Sequence, residues 1–252
     1  MNTDNEPEGS DAVRIAMWSG PRNISTALMR SWGSRPDTYV CDEPLYAYYL
    51  LTTGREHPGR AEILRDHDTD PGRVIAWLLG RVPERKRIFY QKHMAHHLLP
   101  GVERDWLSTL RHAFLIREPE AMLTSLIRVT PDPSLHDTGL PQQWELFERA
   151  AAETGRPPPV VDARDVLEDP AGLLVALCGA LEVPFMECML SWEPGPRPTD
   201  GVWAKHWYAS VEASTAFRPY RPKPDRVPSE LRGLLDECRP IYDRLYAQRL
   251  TA

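Results

Sequence analysis

Apolar positions in this chain gather into short runs bounded by turn residues, and five of the runs have the length and composition of buried strands. They lie near 13–18, 37–41, 87–92, 112–117 and 159–163. Segments near 25–33, 71–80, 119–128, 140–154, 170–181 and 229–247 carry the spacing of helices instead. Asp70-Pro71 and Asp169-Pro170 read as helix starts: the aspartate accepts from orphan N–H groups, and the proline lacks a donor that the first turn does not use. Strands alternating with helices predict an α/β fold with a doubly wound, mainly parallel sheet, in which ligands bind beyond the C-terminal ends of the strands.

Two stretches break this rhythm. Residues 43–70 carry Tyr46, Tyr48 and Tyr49, and residues 192–226 are rich in proline with Trp192, Trp203, Trp207, Tyr208, Phe217 and Tyr220. Both are expected to be irregular, and segments of that kind serve either as binding loops or as packed aromatic cover.

Composition narrows the class. A length of 252 residues suits one undivided α/β domain over 12–252, preceded by an acidic tail, 1–11, whose Asp4, Glu6, Glu8 and Asp11 predict disorder. The tail has neither the basic start nor the apolar core of a signal peptide. No apolar run approaches the roughly 20 residues that span a bilayer. A soluble, cytoplasmic protein with no membrane contact is therefore expected. The formal charge of −6 argues against a nucleic-acid surface. Cys41, Cys178, Cys188 and Cys238 lack paired spacing and the eight histidines form no zinc motif, so neither a metal nor a disulfide framework is expected. Lysine and arginine together number 30 and only four are lysines, a bias that suggests a GC-rich bacterial genome.

The chemistry starts at residues 13–30. Val13 to Trp18 is a strand, Ser19-Gly20-Pro21 a turn, and Ser25-Thr26 the start of a helix, whose N-terminal N–H groups and dipole favour an anion. Nucleoside triphosphatases place a lysine in such a loop. None of Lys86, Lys92, Lys205 and Lys223 occupies one here, and the loop cation is Arg22, which clamps an anion through a fork of donors.

Pro21-Arg22-Asn23-Ile24-Ser25-Thr26 resembles, position by position, the 5′-phosphosulfate loop of the sulfotransferases that use 3′-phosphoadenosine 5′-phosphosulfate (PAPS). That family has a P-loop-like α/β fold. Its loop glycine is replaced here by Ile24, which puts the backbone conformation of the loop in question. Arg117, Pro119 and Ser125 are similar to the family's 3′-phosphate site, in which the arginine and serine bind that phosphate. His93, followed by Met94-Ala95-His96-His97-Leu98-Leu99-Pro100, resembles the segment beginning with the catalytic histidine and takes the place of general base. Glu43, after a second strand, is the rival base, or a group orienting Arg22 or the acceptor. By position, Lys205 is the phosphate contact of the C-terminal segment, although the usual Lys-Gly-x-x-Gly pattern is missing.

The resemblance implies metal-free transfer of a sulfuryl group from PAPS to a hydroxyl or amine of a small-molecule acceptor, leaving 3′-phosphoadenosine 5′-phosphate (PAP). The alternatives are a P-loop-type kinase or phosphotransferase, which lacks its lysine here, and a non-catalytic PAP-binding protein.

Overall fold

The five strands pair edge to edge as one all-parallel sheet in the order β2-β3-β1-β4-β5. They are β1 (Val13–Ser19), β2 (Thr38–Asp42), β3 (Ile88–Met94), β4 (Arg111–Ile116) and β5 (Val160–Asp162), close to the predicted runs. This computed structural model describes residues 12–222 and 226–252, so the acidic tail 1–11 and Lys223 lie outside the described residues.

Helices cover both faces of the sheet, which explains why the strands read as continuous apolar runs. Ile15, Met17, Tyr90 and Leu115 face one core, while Ala16, Trp18, Phe89 and Phe114 face the other. The first face packs against α1 (Ser25–Gly33), α2 (Tyr46–Thr53), α3 (Arg60–Asp66) and, further along the chain, α7 (Ala163–Glu168) and α8 (Pro170–Ala180). The second packs against α4 (Pro71–Leu79), α5 (Pro119–Leu126), α6 (Leu140–Thr154) and α11 (Arg232–Tyr246). In α4, Val74 and Leu78 are buried one turn apart, so one stripe of the helix meets the sheet. The Asp70 and Asp169 caps form as the sequence predicts, each carboxylate accepting from first-turn N–H groups.

Two expectations need correction. Residues 43–70 are not irregular, because they hold α2 and α3; α2 starts at Leu45 without a side-chain cap and α3 starts at Gly59, so neither carries a start signal. Residues 192–226 hold two one-turn helices, α9 (Ala204–Trp207) and α10 (Ala209–Glu212). The last strand is also shorter than its apolar run, because the Asp162 carboxylate accepts from the Arg164 N–H at 2.8 Å and starts α7 at once.

The strand order makes the site. β1 is central, and the chain passes over it in going from β3 to β4, so the connections on its two sides diverge. A crevice opens at that switch point, above the C-terminal ends of β1, β3 and β4.

Candidate active site

The turn after β1 is shaped by close backbone contact. A Cβ on Gly20 would collide with the Thr138 carbonyl oxygen, so only glycine permits that approach. The left-handed residue of the loop is Arg22, at φ +58, whereas Ile24 sits at φ −95 and needs no glycine. The Ile24 side chain packs against the core instead. Asn23 pins the loop: its Oδ1 accepts from the Ser25 N–H at 2.9 Å and its Nδ2 donates to the Leu115 carbonyl at 3.4 Å. Ile24 offers no side-chain cap to α1, so the other first-turn N–H groups remain available to an anion.

Arg117 follows the end of β4 and donates through Nη1 to the Arg22 carbonyl oxygen. Ser125 lies on α5, where Glu118 caps the helix by accepting from the Glu120 and Ala121 N–H groups at 3.0 and 2.8 Å. The Arg22 Nε donates to the Ser125 Oγ at 3.1 Å, so the loop, Arg117 and Ser125 form one bonded unit. Burial, and then the charge of Arg128, lowers the pKa of Arg22; burial, and then Arg22, lowers that of Arg117. Arginine stays cationic through such shifts. Among the described residues neither has a carboxylate within ion-pair distance. Two neighbouring cations with no carboxylate in ion-pair contact among the described residues, beside an uncapped helix start, suit phosphate groups.

Acid–base groups gather at the ends of β2 and β3. Lys92 is 1% exposed, and its Nζ donates to Asp42 Oδ1 at 2.7 Å, to Glu43 Oε1 at 2.6 Å and to the Tyr208 hydroxyl at 2.8 Å. Burial works against the Lys92 charge, but Asp42, Glu43 and Tyr208 outweigh it and raise its pKa well above an ordinary lysine. For Glu43, burial and the neighbouring Asp42 charge push the pKa up, and Lys92 pulls it only part of the way back. Glu43 keeps Oε2 free of Lys92, with His97 Nδ1 3.9 Å away.

Residues 21–27, Glu43, Lys92, His96, His97, Arg117 and Ser125 all border one cavity of about 440 Å³, a volume suited to a small-molecule ligand. A family model described as Sulfotransferase domain matches residues 13–249. The chain belongs to the sulfotransferase family.

Its curated relatives include Branched-chain-amino-acid aminotransferase-like proteins 2 and 1 of Arabidopsis thaliana, 36% and 38% identical over 92% of this chain. The chain spans 41% of the length of each. Among solved structures, the Sulfotransferase Domain from the Curacin Biosynthetic Pathway aligns with a TM-score of 0.57 over 96% of this chain and 99% of that one, at 14% identity. A sulfotransferase from Alicyclobacillus acidocaldarius aligns with a TM-score of 0.52 over 93% and 94%, at 13% identity. At such identities the likeness is one of fold.

Within this sulfotransferase fold two expected site residues stand elsewhere. His93 points to the opposite face of the sheet from Lys92, as alternation along a strand requires. There it stacks on Trp18 with ring centroids 4.4 Å apart and bonds Gln91 Oε1 through Nε2 at 3.2 Å. Burial, and then His112, holds its pKa down to about 3, so it is a neutral core residue outside the cavity. Lys205 pairs with Glu62 on the outer side of α9, because Ala204 and Tyr208, one turn apart, take the inward positions. The segment still reaches the cavity, through Trp207, Tyr208, Val211 and Phe217, and the cation that it contributes is Arg218.

Lys92, His97, Tyr208 and Arg218 also border the cavity and are not among the candidates named from the sequence. Lys92 and His97 carried a usable signal, since both lie in the segment that resembles the family's catalytic one. Tyr208 and Arg218 had none beyond their place in an aromatic stretch. Among the described residues no group of three or more His, Cys, Asp or Glu side chains is placed to hold a metal ion, and no helix is long and apolar enough to cross a membrane.

Proposed function

We propose that the chain transfers a sulfuryl group from PAPS to a hydroxyl or amine of a small-molecule acceptor by in-line displacement, leaving PAP. One observation carries this reading: the uncapped helix start with Arg22, the Arg117 and Ser125 side chains, and the Glu43 carboxylate border a single cavity. When bound, PAPS supplies the sulfuryl group already joined to a leaving phosphate. The loop N–H groups with Ser25 and Thr26 hold the 5′-phosphate, Pro21, Asn23 and Ile24 set the loop's shape, and Arg22 stabilises charge on the leaving oxygen. Arg117 and Ser125 hold the 3′-phosphate, and Arg218 takes the part expected of Lys205.

Glu43 is the base in place of His93. As the acceptor atom bonds to sulfur, the bond from sulfur to the phosphate oxygen breaks, and the acceptor's proton passes to Glu43. A carboxylate with a raised pKa lies closer to the working pH, which is what a general base needs. Lys92 holds the other carboxylate oxygen and fixes the direction of the free one.

The test offers the protein sulfur-labelled PAPS or γ-phosphate-labelled ATP with magnesium, together with hydroxyl and amine acceptors. Label should move from PAPS to acceptor with one PAP released per transfer, and Glu43→Gln should cut turnover by about 10²–10⁴-fold. Transfer from ATP would replace this reading with the kinase one, and nucleotide binding without transfer would leave a binding protein.

A further inference from the structure

Resting on Glu43 as the base, we propose that His97 donates a hydrogen bond to the attacking atom of the acceptor and so selects an oxygen nucleophile over a nitrogen one. The two groups stand across a gap from each other. His97 Nδ1 lies 3.9 Å from Glu43 Oε2, too far for a hydrogen bond between them and a spacing that one bridging acceptor atom, seated off the line joining them, spans at hydrogen-bond distance from both. Nδ1 is buried without a hydrogen-bond partner although His97 is only 3% exposed, a condition that costs free energy unless something fills the gap.

The ring cannot swing away. It is clamped between Tyr46, with centroids 4.7 Å apart and planes 3° apart, and Tyr49, at 4.6 Å and 26°. Its other neighbours in this wall are His96, whose ring meets it at 4.5 Å, Lys92 and His57. Burial, and then the fields of His96, His57 and Lys92, push its pKa well below an ordinary histidine, so the ring is neutral and carries one N–H. The facing Glu43 carboxylate favours that proton on Nδ1.

A neutral imidazole N–H on one side and a carboxylate on the other define what fits between. A hydroxyl has one proton and two lone pairs: the proton goes to Glu43, one lone pair accepts from His97, and the second attacks sulfur while the phosphate oxygen leaves with the S–O electrons. A neutral amine has a single lone pair. Bonded to His97, it has none left for sulfur, and an ammonium has none at all. The mouth adds no net demand for an anion, since Arg55 is paired with Asp137 at 2.6 Å and Glu56 stands beside them. The acceptor class is an uncharged alcohol or phenol.

Matched acceptors test this. Wild-type protein, His97→Phe and His97→Asn are given labelled PAPS with benzyl alcohol or benzylamine, and with phenol or aniline, while PAP affinity is measured by calorimetry. The wild type should favour oxygen over nitrogen by about 100-fold or more, as sites built to hydrogen-bond a hydroxyl do. His97→Phe keeps the ring stack but lacks the N–H, and should narrow that ratio at least about tenfold through kcat on the alcohols. His97→Asn places an amide N–H near the Nδ1 position and should keep the preference; PAP affinity should stay unchanged in both. An unchanged ratio in His97→Phe, or a wild type that prefers amines, overturns the role of His97 and leaves the sulfotransferase reading standing. Failure of the wild type to bind PAP overturns that reading itself, and PAP binding without transfer to any acceptor, water included, overturns both.

Discussion

Glu43 adopts φ +44, a left-handed conformation that a residue with a Cβ enters at a cost of about 1–3 kcal/mol. Three bonds hold it there: its N–H donates to the Lys92 carbonyl at 2.9 Å, its carbonyl accepts from the Tyr46 N–H at 2.9 Å, and its Oε1 accepts from Lys92 Nζ. The strain therefore sits on the one carboxylate that the proposed chemistry needs. Lys92→Met should raise the Glu43 pKa further, since the cation that pulls it down is gone. The rising limb of kcat/KM against pH should then move to higher pH by about one unit or more. A limb that stays where it is in the wild type would remove Glu43 from the titrating step. Alternation explains why the sequence does not say which residue of β3 accompanies Glu43 in the crevice. In a strand buried on both faces, Gln91, Lys92 and His93 are polar at both parities, so no apolar pattern says which of them faces the ligand. Only the pairing of Trp18 opposite His93 and Met17 opposite Lys92, each beside its own core, decides it.

At the scale of elements, the strands and the long capped helices were legible because each carries its own local signal: apolar runs for β1 to β4, Asp-Pro starts for α4 and α8. The helices α2, α3, α9 and α10 lack such starts and owe their form to tertiary packing, which no local reading supplies. The segment 201–217 is tied to the ends of β2 and β3: the Gly201 N–H donates to Asp42 Oδ2 at 3.2 Å, the Tyr208 hydroxyl donates to the same carboxylate at 2.7 Å, and Lys92 Nζ donates to that hydroxyl at 2.8 Å. Trp203 adds an N–H to that hydroxyl at 3.2 Å. Tyr208→Phe should therefore loosen the whole segment, at a cost of about 1–3 kcal/mol for the polar groups left unpaired. Hydrogen exchange of the 201–217 amides should speed up while that of β1 does not. Equal protection in the variant would mean that packing alone holds the segment.

The whole molecule carries a pH dependence of folding that its buried histidines set. Buried His93 and His96 are both held down to a pKa of about 3, whereas the unfolded chain takes up these protons near pH ~6.5. The unfolded state binds more protons between those values, so stability is fully present above about pH 6.5 and is lost progressively as pH falls toward 3. Each histidine should remove about 2 kcal/mol between pH 6.5 and 5, and urea unfolding at the two pH values should give a smaller difference for His93→Phe than for the wild type. An identical difference would mean that His93 does not carry the effect. Topology also sets the function at this scale, because the crossover past β1 brings residues separated by nearly the whole sequence to one crevice. That convergence was predictable from the strand order; the wall built by α2 and the turn at Ala95–His97 was not. On the proposed function this crevice recognises a nucleotide with a 3′-phosphate. Calorimetric titration of the wild type and Arg117→Ala with PAP and with ADP tests it most directly. The wild type should bind PAP more tightly than ADP, and Arg117→Ala should narrow the difference by weakening PAP more than ADP, by about 1.5–3 kcal/mol for a lost bond to a charged group. Equal affinity of the wild type for both nucleotides would contradict it.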